Sequence, residues 1–484
     1  MEKGEEATEP ANLQIAKSST EDSVTTSRQF FRRFTGLLQE AIATYREIWW
    51  VAVPFVLQQI LQTLYTLVDL WWLGRLSTEA VAAVTAASSL FFFILAFVIG
   101  VAISASVSVG RAHGAALEVA HKAGIVWGKI ALGFMVGLGA AALGIIAAPS
   151  AFALLGLPPF SLLQSLALEY FLVVMGGVPL LAVTVVAMSS LQAMGKQWYG
   201  PIANAFGLVL NAILDPLFLF WFLWGVKGVA VATILAQVPV SLFLLGAIWR
   251  TVGQPPRQQL LSLVVRDVVR PYLSVGLTTT GETLARAISS FLFVALVAPF
   301  GAVALAAYGA GNQIYSTAIL FFLGVAFAVG TLSAREVGAG DLRKVGRLVR
   351  WGAALNALLL FVVGVVVWYG APLLAHQFLP SDVEAQKQAT TMIRWVFGGL
   401  WLAGITLVYI GALRALGYGV AALVVSLAYL IVQFGVAWFG SHWWGVEGIW
   451  AAYPASFVVG ALLAPPVFWW ALARERMASR RGER

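Results

Sequence analysis

Twelve apolar runs, each of about 20 residues or more, constrain this chain most, because a helix needs roughly that length to cross the hydrocarbon core of a bilayer. Punctuated by Gly, Pro and charge, they predict membrane-spanning helices over 47–72, 79–109, 124–148, 162–190, 198–224, 228–250, 269–298, 302–333, 348–374, 388–413, 417–440 and 447–472. Of the 484 residues, 60% are hydrophobic and 11% charged, whereas about a quarter of a soluble domain is charged. The expectation is an all-α polytopic membrane protein.

Charge sets the expected orientation. With the amino terminus inside, roughly 24 Lys and Arg fall in the tails and loops of one side, against roughly 3 on the other, namely Arg75, Lys227 and Lys387. Both termini are therefore expected in the cytoplasm of a cytoplasmic (inner or plasma) membrane. The net charge of +8 reads as topology and not as a nucleic-acid partner. Residues 1–45 carry Glu2, Glu5, Glu6 and Glu9 without the apolar core of a signal peptide, and are expected to be a disordered cytoplasmic tail.

The chain repeats itself. A shift of 224 residues lays 80–115 on 304–339 without a gap, matching Arg111 with Arg335, Gly114 with Gly338 and Gly100 with Gly324. Two six-helix halves follow, an amino lobe over 46–250 and a carboxy lobe over 269–473. A polar cytoplasmic linker, 251–268, joins them, and a basic tail, 474–484, ends the chain. An even number of crossings per half makes the repeats parallel, an arrangement that usually encloses a central cavity and rocks to give alternating access.

Ionisable groups inside a span are functional candidates by default, because burying them is expensive. Helix 1 carries Asp69, with Tyr65 one turn earlier, and helix 5 carries Asn211 and Asp215 one turn apart; Thr233 of helix 6 falls at the same depth. Hard oxygen donors of this kind suit a proton or Na⁺ and not a transition metal. If the ion is Na⁺, its expected ligands are Asp69, Asn211, Asp215 and Thr233. The carboxy lobe does not copy the cluster, since Phe293 stands opposite Asp69 in the repeat. It has instead Glu282, with Arg286 four residues later, and Gln58 is the amino-lobe counterpart of Glu282.

Plainer readings stay open here. Asp69 can be hydrated at the interface beside Trp71 and Trp72, Asp215 can be helix-end chemistry with Pro216, and Glu282 with Arg286 can be a structural ion pair. Arg394 can be packed, and Gly133 and Gly137 can serve helix packing alone. Enzyme chemistry finds little support: His113, His121, His376 and His442 lack metal-site spacing, no phosphate-binding loop is present, and there is no Cys. No cofactor is expected beyond the coupling ion, H⁺ or Na⁺.

These residues resemble the multidrug and toxic compound extrusion (MATE) family, most like its prokaryotic DinF-like branch, over roughly residues 45–475. The stretches YTLVDLWWLGRLSTEAVAAV and NAILDPLFLF, with the two Arg-to-Gly loops, carry the resemblance. It implies two six-helix bundles forming a V-shaped central cleft, an amino-lobe ion site at Tyr65, Asp69, Asn211, Asp215 and Thr233, and a bend of helix 1 at Pro54. Glu282 looks like the helix 7 acid of NorM-like members, although helix 10 lacks their second acid. The expected activity is secondary antiport of small organic substrates, largely cationic or amphiphilic, by a monomer surrounded by membrane lipid. The alternatives are a flippase for a lipid or lipid-linked precursor and an enzyme acting on a lipid carrier.

Overall fold

The computed structural model describes residues 11–155, 161–254, 264–380 and 382–481. Twelve of its helices are long and apolar enough to span a membrane, and no strand occurs among the described residues. They are α1 (Ala11–Gly74), α2 (Thr78–Gly114), α3 (Val119–Leu154), α4 (Leu162–Ala193), α5 (Tyr199–Pro216), α6 (Gly225–Val252), α7 (Leu277–Val297), α8 (Ala302–Ala339), α9 (Leu342–Phe378), α10 (Val383–Ala415), α11 (Gly419–Trp444) and α12 (Val446–Arg480). The outer surface is apolar, with Leu154, Trp221 and Ile146 at 89%, 80% and 77% exposure. Such a surface belongs in lipid, so the protein is integral to a membrane.

The chain separates into two units, Met1–Glu47 and Ile48–Arg484. In the first, α1 begins at Ala11. From Ala11 to Thr35 no Gly or Pro interrupts the chain, and those are the two residues that most disfavour a helix. Residues 1–10 lie outside the described residues, as do 255–263 of the expected linker.

Short polar residues start the spans. Ser77 Oγ accepts the Ala80 N–H at 3.0 Å, Asp341 Oδ1 accepts those of Arg343 and Lys344, and Asp382 Oδ1 accepts that of Ala385. Each satisfies donors that a helix start leaves free. Gly195 and Gly417, at φ +86° and +82°, end α4 and α10 in the left-handed conformation that glycine adopts most readily. Small residues then set the packing inside a lobe. A Cβ on Gly137 would sit 2.9 Å from Ala182 Cβ and the Pro179 backbone, so α3 approaches α4 as closely as only glycine permits.

Between the lobes, α2 crosses α8 at one end of the bundle, where the Arg- and Lys-bearing loops lie, here called the basic face. Ser106 Oγ meets Thr331 Oγ1 at 3.4 Å in a buried contact. One turn beyond, the repeated residues exchange partners. Arg111 of the amino lobe donates from Nε and Nη2 to the Ala415 carbonyl at the end of α10, at 2.9 and 2.6 Å. Arg335 of the carboxy lobe donates from Nε to the Ala193 carbonyl and from Nη2 to the Gln192 carbonyl at the end of α4, at 2.8 and 2.5 Å. Each guanidinium thus caps the negative end of a helix dipole across the lobe boundary.

A charged hydrogen bond of this sort contributes about 2 kcal/mol, roughly a 30-fold shift in equilibrium. Arg335→Ala is accordingly expected to raise the maleimide reaction rate of an added Ser106→Cys thiol by about 30-fold, since local opening governs access. An unchanged rate would mean that the clamp contributes nothing. The chain has no native Cys to interfere.

The linker is tied to the amino lobe. Lys129 is fully buried, and its Nζ donates to Ser104 Oγ at 2.5 Å and to the Val268 carbonyl at 2.9 Å. Beside it, His121 Nε2 lies 3.1 Å from Asp267 Oδ2.

Candidate functional site

Asp69 and Tyr65 sit on one face of α1, near the end that carries the interfacial Trp71 and Trp72. Arg75 lies 3.8 Å over the Trp71 ring. This matches an aromatic anchor at a membrane interface. From α5 come Asn211 and Asp215, both with no exposed surface. Pro216 ends the regular α-helical part there, and a π-helical turn, Leu217–Trp221, continues the span. Proline lacks the N–H that would continue the hydrogen-bond ladder, and such turns recur at functional sites.

The structure brings all five expected residues together. Asn211 Nδ2 donates to Asp215 Oδ1 at 3.1 Å. Asp69 faces Asp215 and Asn211 across the gap between α1 and α5. The Tyr65 hydroxyl faces Thr233 of α6 without completing a hydrogen bond, while Thr233 Oγ1 donates back to the Val229 carbonyl at 3.0 Å. A sixth member, Tyr170 of α4, lies within electrostatic range of both carboxylates.

Three oxygens of this cluster are buried without a hydrogen-bond partner: Asp69 Oδ1, Asp215 Oδ2 and Asn211 Oδ1. The Tyr65 hydroxyl is a fourth unpaired oxygen. Among the described residues, no Lys or Arg acts on either carboxylate. Two carboxylates so close in a poorly solvated site repel, an arrangement whose chemistry suits a proton or a small cation between them. The donors are all oxygen, which fits H⁺ or Na⁺. No cluster of three or more His, Cys, Asp or Glu occurs among the described residues.

The carboxy-lobe candidates form a separate group. Arg286 Nη2 donates to Glu282 Oε1 at 2.9 Å, and Arg414 Nη2 donates to Glu282 Oε2. Both carboxylate oxygens are thereby engaged. Arg414 was not expected here, because in the last turn of α10, next to its final residue Ala415, it reads as one more basic loop residue. Gln58 accepts from Gln192 Nε2 at 2.8 Å, a neutral counterpart of the Glu282 and Arg414 pair. Arg394 stands apart, 4.9 Å over the Trp368 ring.

Pro54 is buried inside α1 and cannot donate to the Trp50 carbonyl one turn before it. The Gln197 amide packs there, 3.3 Å from that carbonyl, and in its opposite orientation accepts from the Trp50 indole N–H. The weak point of the helix is thus held by the turn after α4.

The MatE family model matches residues 54–217 and 279–439, one stretch in each half of the repeat. The chain belongs to the MATE family. It is similar to the "Probable multidrug resistance protein YoeA" of Bacillus subtilis, at 26% identity over 433 residues, covering 85% of this chain and 90% of that one. It is 24% identical over 407 residues to the "FAD transporter" of Shewanella oneidensis, covering 81% and 87%. The MATE transporter VcmN of Vibrio cholerae, solved in the bent form, superposes with a TM-score of 0.84 at 21% identity, over 91% of this chain and 99% of that one. The family is one of membrane transporters and not of enzymes.

Proposed function

We propose that this MATE protein is a secondary antiporter that exports organic, largely cationic amphiphiles in exchange for H⁺ or Na⁺, with both termini in the cytoplasm. The observation that carries this reading is the facing pair Asp69 and Asp215, the first half-buried and the second buried, with unpartnered oxygens and, among the described residues, no basic neighbour. Such a pair accepts a monovalent cation or a proton and disfavours standing empty. The names of the relatives support small organic substrates, since one is called a multidrug resistance protein and another an FAD transporter.

Exchange requires that ion and substrate bias one two-state element in opposite directions. Here that element is α1, which carries Asp69 and lacks one backbone hydrogen-bond donor at Pro54, together with the crossed clamp on the basic face. Ion occupancy draws α1 toward α5, and substrate leaves. Release of the ion on the cytoplasmic side then resets the pair. The basic face corresponds to the cytoplasmic side in this reading, in agreement with the distribution of Lys and Arg.

The test is ethidium efflux from proteoliposomes with a pH gradient and a Na⁺ gradient imposed separately. Efflux driven by one gradient and not the other names the coupling ion. Absence of efflux under both would sink the antiporter.

A further inference from the structure

The basic face carries a groove that the transport reading does not use. It lies where the end of α12 meets the turn from α8 into α9, an open cavity of about 600 Å³ lined by Arg343, Arg476, Ser479, Arg480 and the turn 339–342. Just inside it the two helices meet closely, since a Cβ on Gly346 would lie 3.2 Å from the Trp469 ring and 3.3 Å from Leu472. One to two turns further out, the same face of α12 presents Arg476, Ser479 and Arg480 where apolar residues would have closed the seam.

Three Arg against one Asp leave the lining with a net charge of +2. Asp341 is already engaged, because its Oδ1 accepts the Arg343 and Lys344 N–H groups that start α9. The neighbouring carboxylates are engaged elsewhere: Glu336 Oε1 accepts from Lys344 Nζ at 2.8 Å, and Glu475 Oε1 from the Tyr418 hydroxyl at 3.3 Å. Among the described residues, none of the three lining Arg joins an ion pair. Arg476 donates from Nη2 to the Leu342 carbonyl at 3.0 Å, which fixes its place in the wall. Guanidinium groups gathered around one groove repel, and an anion seated among them turns that repulsion into attraction. The planar fork of Arg matches phosphate oxygens best, and the Ser479 hydroxyl adds a further donor.

The surroundings of the groove select the source of the phosphate. Along α12, Leu462, Trp470 and Met477 are exposed, and Arg474 lies 5.8 Å over the Trp470 ring, as at a membrane interface. Met477 adjoins Arg476 and is one turn from Arg480, so this apolar stripe runs from lipid to the edge of the groove. Basic pockets between spans at one membrane face are of the kind that hold lipid head groups. We infer that the groove binds the phosphate of an anionic phospholipid in the leaflet at the basic face, with an acyl chain along the α12 stripe. The site stands apart from Asp69 and Asp215 and depends on no property of theirs.

The test is equilibrium binding to the purified full-length protein in detergent at physiological ionic strength, with dioctanoyl phosphatidic acid, dioctanoyl phosphatidylcholine and glycerol phosphate as probes. Phosphatidic acid should bind at least about tenfold tighter than either of the others, the worth of one charge-assisted hydrogen bond. Arg343→Gln and Arg480→Gln should each weaken phosphatidic acid by about tenfold. Arg481→Gln, at a neighbouring position outside the lining, should change it by less than about twofold. All three side chains are exposed, so the fold is not at stake. Equal affinity for the two lipids overturns the inference. Equal effects of Arg480→Gln and Arg481→Gln also overturn it, because a diffuse basic surface and not a site would then attract the lipid. Glycerol phosphate binding as tightly as phosphatidic acid overturns the lipid and assigns the groove to a soluble phosphate.

Discussion

Asp69→Asn is expected to reduce gradient-driven dye efflux to the level of empty liposomes while the protein remains folded and membrane-inserted. Asn is nearly isosteric with Asp, so the packing of α1 against α5 is preserved. The substitution removes the charge that makes the site respond to an ion. Asp215 then faces an amide that donates to it, and the pair no longer needs a proton or Na⁺ for stability. Without differential ion binding, the gradient has no purchase on the two-state element. Asp215→Asn should give the same loss. The fully buried Asn211, which donates to Asp215 at 3.1 Å, should give a partial loss as Asn211→Ala. Efflux is measured in proteoliposomes, with size-exclusion behaviour as the control for folding. Full efflux by Asp69→Asn would remove the ion site from the account.

Gly114→Ala is the second large effect, expected to prevent closure of the basic face. A Cβ at Gly114 would lie 1.7 Å from the Arg335 carbonyl oxygen, and one at Gly338 would lie 2.0 Å from that of Arg111. Ordinary contact needs about 3.5 Å, so the helices must part by roughly 2 Å. The neighbours are backbone atoms that cannot swing aside. Parting α2 from α8 also strips the Arg111 and Arg335 donors from the ends of α10 and α4, and a transporter held open at one face cannot alternate. The measurement is cross-linking of a Ser106→Cys and Thr331→Cys pair, whose native oxygens lie 3.4 Å apart. The pair should cross-link efficiently in the parent protein and at least about tenfold less in the Gly114→Ala background. Undiminished cross-linking with normal transport would show that the crossing is not a gate.

Much of this was legible in the sequence because hydrophobic length and burial cost are local properties. Each span announces itself by its apolar run, and a carboxylate such as Asp69 or Asp215 is conspicuous where it is costly. Tyr170 was not legible, since a tyrosine within an apolar helix is ordinary until its neighbours are known. Arg414 was hidden for another reason. Near a helix end it counts toward the basic loops, and only the fold turns its side chain inward to Glu282. The Arg and Gly repeat was visible at 111–114 and 335–338, but the crossing was not. Arg111 reaches a carbonyl 304 residues away, a separation over which sequence periodicity carries no information.

The central claim is that ion and substrate compete through the facing carboxylates of the amino lobe. The most direct measurement is equilibrium binding of a cationic dye, the tetramethylrhodamine methyl ester, to purified protein while proton or Na⁺ activity is raised in separate titrations. Dye affinity should fall as the coupling ion saturates the unmodified protein and stay flat in Asp69→Asn. Dye affinity independent of both ions in the unmodified protein would contradict the account.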